Sequence, residues 1–273
     1  IDLTDAKQVA QLYPSLFANG LHIISANKRA GSADEALYRE IRTIQHEYDR
    51  EWLYNTTVGA GLPLNYAIND LRNSGDEIRS ISGIFSGTMS WLFENFTKGV
   101  AFSSLVQEAK ERGYSEPDPR EDLSCQDLVR KLLILAREIG LNLDWQDIQV
   151  QSLVPENLRD IPLKDFMQRI SELDEPMAAM LNEAAKDGKV PRLLASFTVS
   201  DEQLVTAQVG IEYIPEGDML ANLIPGENIF VIYTDWYSEM PLVISGPGAG
   251  KHVTAGGVQS DLNQLLGKLA VGV

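Results

Sequence analysis

An α/β fold, α+β overall, is predicted by three features of the sequence. Strand-like and helix-like segments alternate over the first 55 residues, strands with every second residue apolar follow residue 190, and amphipathic helices occupy much of the stretch between. The first feature describes part of a doubly wound nucleotide-binding sheet, in which helices join parallel strands. The others describe a second domain with a mixed or antiparallel sheet covered by helices.

Residues 1–4 read as a strand, 6–19 as an amphipathic helix stopped by Gly20, and 21–25 as an apolar strand. A helix over about 33–48, capped by Ser32 or Asp34, leads to a strand at 51–55. Leu64, Ala67, Ile68 and Leu71 share one face of the next helix, which Asn73-Ser74-Gly75 closes. A strand at 78–85 precedes helices at about 88–97 and 103–112; Ser104, with Gln107 three residues on, opens the second and Gly113 ends it. The loop Tyr114–Leu123 holds two prolines and five charged residues, and a helix from about Ser124 ends before Gly140. A helical region at 163–187 precedes three alternating strands: Leu193, Ala195, Phe197 and Val199; Val205, Ala207, Val209 and Ile211; Ile229, Val231 and Tyr233. A terminal helix from Thr254 carries Val258, Leu262, Leu265, Leu266 and Leu269 as an apolar stripe.

At 273 residues and 44% hydrophobic the chain can bury a sizeable core, in two domains or lobes. No apolar run approaches the roughly 20 residues that cross a bilayer, so a membrane span is excluded. A net charge of -16 disfavours nucleic acid, whose binding depends on clustered Lys and Arg. Cys125 is the single cysteine, which precludes an internal disulfide and makes the cytosol the expected compartment. Ile1-Asp2-Leu3 reads as a buried strand rather than a signal peptide, as though the sequence opens inside a domain. His22, His46 and His252 lie far apart in sequence, which assigns acid–base chemistry to carboxylates and lysines. A doubly wound sheet cradles a dinucleotide in a G-x-G-x-x-G turn, and that turn is missing: Gly59 and Gly61 are followed by Leu64, Gly248 and Gly250 by Val253. Gly246–Lys251 is one residue short of a P-loop and has His252 at the magnesium-binding position.

Two features can carry chemistry. Asp127 and Lys131 are neighbours on the helix that buries Leu128, Leu132, Leu135 and Ala136; by spacing alone they are a surface pair worth ~0.3–0.5 kcal/mol. Just ahead of that helix, Glu116, Asp118, Glu121 and Asp122 crowd a loop held extended by Pro117 and Pro119. Such carboxylates either receive an ammonium group or cap an exposed turn, and composition does not choose between the two.

The run Gly113-Tyr114-Ser115-Glu116-Pro117-Asp118-Pro119-Arg120-Glu121-Asp122-Leu123-Ser124, followed by Asp127 and Arg130-Lys131-Leu132, closely resembles the signature of homoserine dehydrogenases. So do Ala26-Asn27-Lys28, Thr57-Val58-Gly59-Ala60-Gly61-Leu62-Pro63, Ser82-Gly83-Ile84-Phe85-Ser86-Gly87-Thr88 and Gly246-Pro247-Gly248-Ala249-Gly250, in the family's order. Leu53-Tyr54-Asn55 and Tyr233-Thr234-Asp235-Trp236-Tyr237 look most like the bifunctional members, in which this module follows an aspartokinase.

The resemblance implies NADP- or NAD-dependent interconversion of aspartate-4-semialdehyde and homoserine. It makes Lys131 the proton donor, Asp127 its anchor and Lys28 a second active-site lysine beside the cofactor. Glu116 would hold the substrate's amino group, with Asp122 supporting it and Thr88 and Tyr114 lining the pocket. Cofactor contacts would come from Thr4, Ser25, Lys28, Gly113 and Gly250. Carbonyls of Val58, Ala60 and Leu62 would hold a monovalent cation such as Na+; Asn55 departs from the pattern, standing where some relatives carry a carboxylate. The implied organisation is a partial Rossmann-like domain at 1–62 and 251–273, a substrate domain at 63–190 and dimerisation strands at 191–250. A homodimer is expected, with an aspartokinase in the same full-length chain. Two other readings remain at this point: another NAD-linked amino-acid dehydrogenase, separable by turnover with other amino acids, and a catalytically inert, regulatory or oligomerising module, favoured by the missing pyrophosphate turn.

Overall fold

Parallel pairing starts at Asp2, which bridges Ser25, and continues where β1 (Ile23–Ile24) pairs with β2 (Trp52–Leu53). These contacts come from a computed structural model that describes residues 1–271. The strand expected at 1–4 is a single bridge, with Ile1 and Leu3 exposed on either side of the buried Asp2. The helix expected at 6–19 is two short ones, α1 (Lys7–Ala10) and α2 (Tyr13–Ala18), because Pro14 has no N–H to continue the first and fits the first turn of the second. Next come α3 (Lys28–Gly31), which sequence reasoning missed, and α4 (Glu35–Glu47). Asp34, not Ser32, caps α4 by accepting from Leu37 N at 3.0 Å. After β2 the chain tightens into a 3-10 turn at Asn55–Thr57.

A helix α5 (Leu64–Asn73) leads to β3 (Ile78–Ile84), α6 (Gly87–Asn95) and α7 (Phe102–Glu111). Ser104 does not open α7. The helix starts two residues earlier, and Asp174, 71 residues along the chain, bonds the Ser103 amide and hydroxyl at 2.7 and 2.8 Å. Gly113 closes α7 at φ 71, a left-handed conformation that glycine adopts without strain. The one-turn α8 (Arg120–Leu123) then meets α9 (Gln126–Glu138) at Cys125, whose φ of 65 makes the sharp joint. Burial of α9 extends beyond the predicted stripe to Val129, Leu133 and Ile134, because it packs against α3, α5 and the large sheet on different sides. Truncating a leucine of such a helix to alanine costs about 2–5 kcal/mol.

The remaining elements are β4 (Ile148–Val150), α10 (Glu156–Arg159), α11 (Leu163–Arg169), α12 (Asp174–Lys186), β5 (Lys189–Val199), β6 (Val205–Pro215), β7 (Glu227–Thr234), β8 (Leu242–Pro247) and α13 (Lys251–Val271). The strands beyond α2 other than β1 and β2 form one six-stranded sheet in the order β4-β6-β5-β3-β7-β8. It is mixed rather than purely antiparallel, since β4 runs parallel to β6. The central strand β3 pairs with β5 and β7, so a boundary at residue 190 would run through a single sheet. Ile81, Phe197 and Phe230 are buried beneath the helical layer; Ile84, Leu194, Ile229 and Val231 pack with Leu220 and Leu223 in a second cluster. α13 starts at Lys251, before the expected Thr254, and returns to pack on β1 and the 55–57 turn.

Candidate active site

A cleft of about 1030 Å³ opens where the end of β1, the Thr56–Ala60 turn, the start of α6, the Gly113–Glu116 loop, α9 and the Gly248–Gly250 loop converge. This places it at the carboxyl ends of the short parallel strands, where ligands of open α/β sheets bind. Lys131 is 7% exposed, and its Nζ donates to the Phe85 carbonyl at 2.7 Å and pairs with Asp127 Oδ2 at 2.8 Å. Lys28 Nζ lies 3.4 Å from Asp127 Oδ1. One carboxylate thus joins two lysines from different elements. Burial in the cleft pushes the Asp127 carboxyl up, but the charges of Lys131 and Lys28 outweigh it and hold the group well below the usual carboxylate range.

Across the cleft, the Glu116 amide donates to Asp122 Oδ2 at 2.8 Å, and Thr88 Oγ1 donates to the Tyr114 carbonyl at 2.7 Å. Burial, then the charges of Glu116 and Asp127, push the Asp122 carboxyl up to about 6 against a hydrogen bond from the Glu116 amide. A cationic ligand there would relieve that repulsion. The Tyr114 ring meets Trp91 edge-on at 5.5 Å and closes one side.

Lys28, Thr88, Gly113, Tyr114, Glu116, Asp122, Asp127, Lys131 and Gly250 all line this cleft. Thr4 and Ser25 do not. Thr4 folds back on Asp2 through its amide and hydroxyl, at 2.9 and 2.7 Å, and Ser25 is fully buried with its Oγ accepting from Trp52 Nε1 at 3.1 Å. Sequence reasoning missed Phe85, which acts through a backbone carbonyl that no side-chain pattern reports. It also missed Ser86, which caps α6 by accepting from Met89 N, and Thr254 on α13, both of which line the cleft.

The cleft suits a dinucleotide's nicotinamide end. It stands at the upper end of the roughly 300–1000 Å³ of small-molecule and cofactor sites, and the Gly248–Gly250 wall leads into the N-terminus of a long helix, whose free amides favour phosphate oxygens. The cation set fits less well. The Leu62 carbonyl already accepts from Asn55 Nδ2 at 3.0 Å and from Leu64 N at 2.8 Å, so both its lone pairs are engaged; Val58 is fully buried, and of the three only Ala60 lines the cleft. Among the described residues no group of three or more His, Cys, Asp or Glu side chains could hold a metal, and no helix is long and apolar enough to cross a membrane.

The family model described as homoserine dehydrogenase matches residues 63–262, and that of the homoserine dehydrogenase NAD binding domain matches residues 1–55. The chain belongs to the homoserine dehydrogenase family. It is 47% identical over 265 residues to a bifunctional aspartokinase/homoserine dehydrogenase 2 of Escherichia coli, covering 97% of this chain and 32% of that protein. It is 38% identical over 280 residues to a homoserine dehydrogenase of Emericella nidulans, covering 98% and 75% respectively. The chain therefore spans about a third of the length of the bifunctional relatives it matches. A crystal structure of a Candida auris protein of unknown function superposes with a TM-score of 0.91 at 32% identity, covering 96% of this chain and 74% of that one. An archaeal homoserine dehydrogenase in complex with NADPH shares the fold alone, at a TM-score of 0.72 and 18% identity over 97% of this chain and 71% of that one. Within the cleft of this homoserine dehydrogenase family member, the paired lysines and the acidic recess are the charged parts of the lining.

Proposed function

We propose that the cleft is the substrate site of an NAD(P)-dependent homoserine dehydrogenase, interconverting L-aspartate-4-semialdehyde and L-homoserine in threonine and methionine biosynthesis. The observation that carries this is the state of Lys131. Two of its three ammonium hydrogens are committed, to Phe85 and Asp127, which leaves one for a carbonyl oxygen in the cleft. When bound, the nicotinamide supplies the hydride to the aldehyde carbon or takes it back from the alcohol.

Lys131 Nζ polarises the aldehyde and passes its proton to the oxygen as negative charge develops there; in the reverse direction the neutral amine takes the hydroxyl proton. Asp127 keeps Nζ oriented. Glu116, whose carboxylate has no ion pair among the described residues, and Asp122 hold the substrate's ammonium. That grip fixes the distance between the amino group and the reacting carbon, which selects a short amino-acid aldehyde. Gly113 and Gly250 would offer backbone to the cofactor without side chains in the way, and Lys28, which lines the same cleft, would stand beside it. Lys131→Ala is expected to lower kcat by about 10²–10⁴ while leaving NADPH affinity nearly unchanged, read by steady-state kinetics and calorimetry. A fully active variant would remove the proposed donor.

The similarity to bifunctional proteins supports an aspartokinase in the same full-length chain. A homodimer is supported by the uncovered strand β8, whose Val243, Ser245 and Pro247 are exposed beside the half-exposed Tyr233 of β7. Sedimentation of the purified protein would show a monomer if this is wrong.

A further inference from the structure

We propose that Asn27 is a positioning residue for Lys28: its amide starts the one-turn helix α3 and ties it to the buried Asp2, so that the Lys28 ammonium is presented to Asp127. This deepens the reading of the cleft as a dehydrogenase site and rests on it.

A single helical turn does not persist by itself, because nucleation fixes several torsions for one hydrogen bond. α3 has four residues, so its direction must be imposed from outside. Asn27 does this at the N-terminus. Its Oδ1 accepts from the Arg29 amide at 2.9 Å, while its Nδ2 donates to Asp2 Oδ2 at 2.8 Å and to the Ala6 carbonyl at 3.1 Å. The side chain is 1% exposed, so none of these partners is exchanged for water at low cost. Asp2 is itself locked, accepting from Tyr13 Oη at 2.7 Å and from the Thr4 amide and hydroxyl.

The other end of α3 is held by the helix that carries Asp127. Arg137 of α9 donates to the Gly31 and Ala33 carbonyls at 3.0 and 2.8 Å. Gly31 lets the two helices touch, since a Cβ there would stand 2.9 Å from Ile134 Cγ1. Lys28 is therefore carried on a turn pinned at both ends, one end referenced to the Asp2 bridge and the other to α9. Its side chain has four rotatable carbons and is 31% exposed, so the base of the chain must be fixed for Nζ to stay 3.4 Å from Asp127. Asn27 is not among the residues that line the cleft, which makes it a positioning residue and not a catalytic one.

The test uses Asn27→Ala and Asn27→Ser, each with Lys28 intact and with Lys28→Ala. Serine keeps the capping acceptor and loses the bond to Asp2, and it serves in place of alanine if that variant fails to fold. The first readout needs no substrate: acetylation by acetic anhydride, followed residue by residue in peptide mass spectra. Lys28 should react about fivefold faster in Asn27→Ala, the population change expected from a lost cap, and by less in Asn27→Ser, with the exposed Lys98 and Lys164 unchanged. The second is turnover of homoserine by the intact protein. Asn27→Ala should lower kcat about tenfold when Lys28 is present and less than about twofold when it is already alanine. Unchanged Lys28 reactivity, or an equal loss of kcat in both backgrounds, overturns the proposal. A wild-type protein without homoserine turnover overturns the functional reading instead, and the acetylation result still decides whether Asn27 places Lys28.

Discussion

Asp122→Asn should make the protein more stable above pH 6 while weakening its grip on substrate. The carboxyl is half-buried beside Glu116 and within the field of Asp127, and these surroundings raise it from an ordinary 3.8 to about 6. A carboxyl raised in the folded state favours folding while it holds its proton. That contribution is fully present below pH 3.8 and is lost as pH rises through about 6, so at neutral pH the ionised group opposes the fold. Each pH unit between the two values corresponds to about 1.4 kcal/mol, or about 3 kcal/mol in all, which access of water to the cleft reduces to about 1–2 kcal/mol. Asparagine is nearly isosteric and can still accept from the Glu116 amide. Its Tm advantage over wild type should therefore be about 2–6 °C larger at pH 8 than at pH 4 for a chain of this size. Scanning calorimetry at the two pH values measures it. An advantage that is the same at both, or absent at pH 8, would refute the assignment of Asp122 as an electrostatically strained carboxylate. In parallel, the wild-type KM for homoserine should rise as pH falls below about 6, and the variant's KM should start high and lack that rise.

Gly61→Ala should destabilise by about 1–3 kcal/mol and loosen the terminal helix, because the added Cβ would lie 2.5 Å from the backbone oxygen of Val253; amide exchange along α13 reports it. Cys125→Val should cost about 1–3 kcal/mol in a denaturant titration, since a β-branched side chain is strained at φ 65, and kcat should fall with it because α8 and α9 meet there. Arg192→Met should cost about 3–5 kcal/mol by leaving Glu94 buried without its partner, 2.9 Å away; adding Glu94→Leu should recover part of that loss, but not all, because Arg192 also serves the Phe93, Pro191 and Ala221 carbonyls.

Local signals were legible in the sequence because the forces behind them act over one or two turns of chain. Asp34 at the head of α4, Gly113 behind α7 and the apolar face of α5 each appear where spacing and capping put them. The acidic loop and the Asp127–Lys131 pair were also visible, and the family resemblance attached chemistry to them. Composition alone left open whether they were a site or a solvated edge, because an i, i+4 pair is the same four-residue spacing in either setting. Tertiary structure decided the rest. It buries Lys131 under the Phe85 carbonyl, sets Lys28 against the far oxygen of Asp127, and delivers the cap of α7 from Asp174. It places β3 between β5 and β7, which no run of alternating residues specifies, and it folds Thr4 back onto Asp2 and buries Ser25 against Trp52, away from the cleft where the family resemblance had implied cofactor contacts. The physical reason is common to all of these: a hydrogen bond or ion pair between distant segments depends on where the packed core brings their backbones, and a backbone carbonyl such as that of Phe85 carries no mark of its own in the sequence.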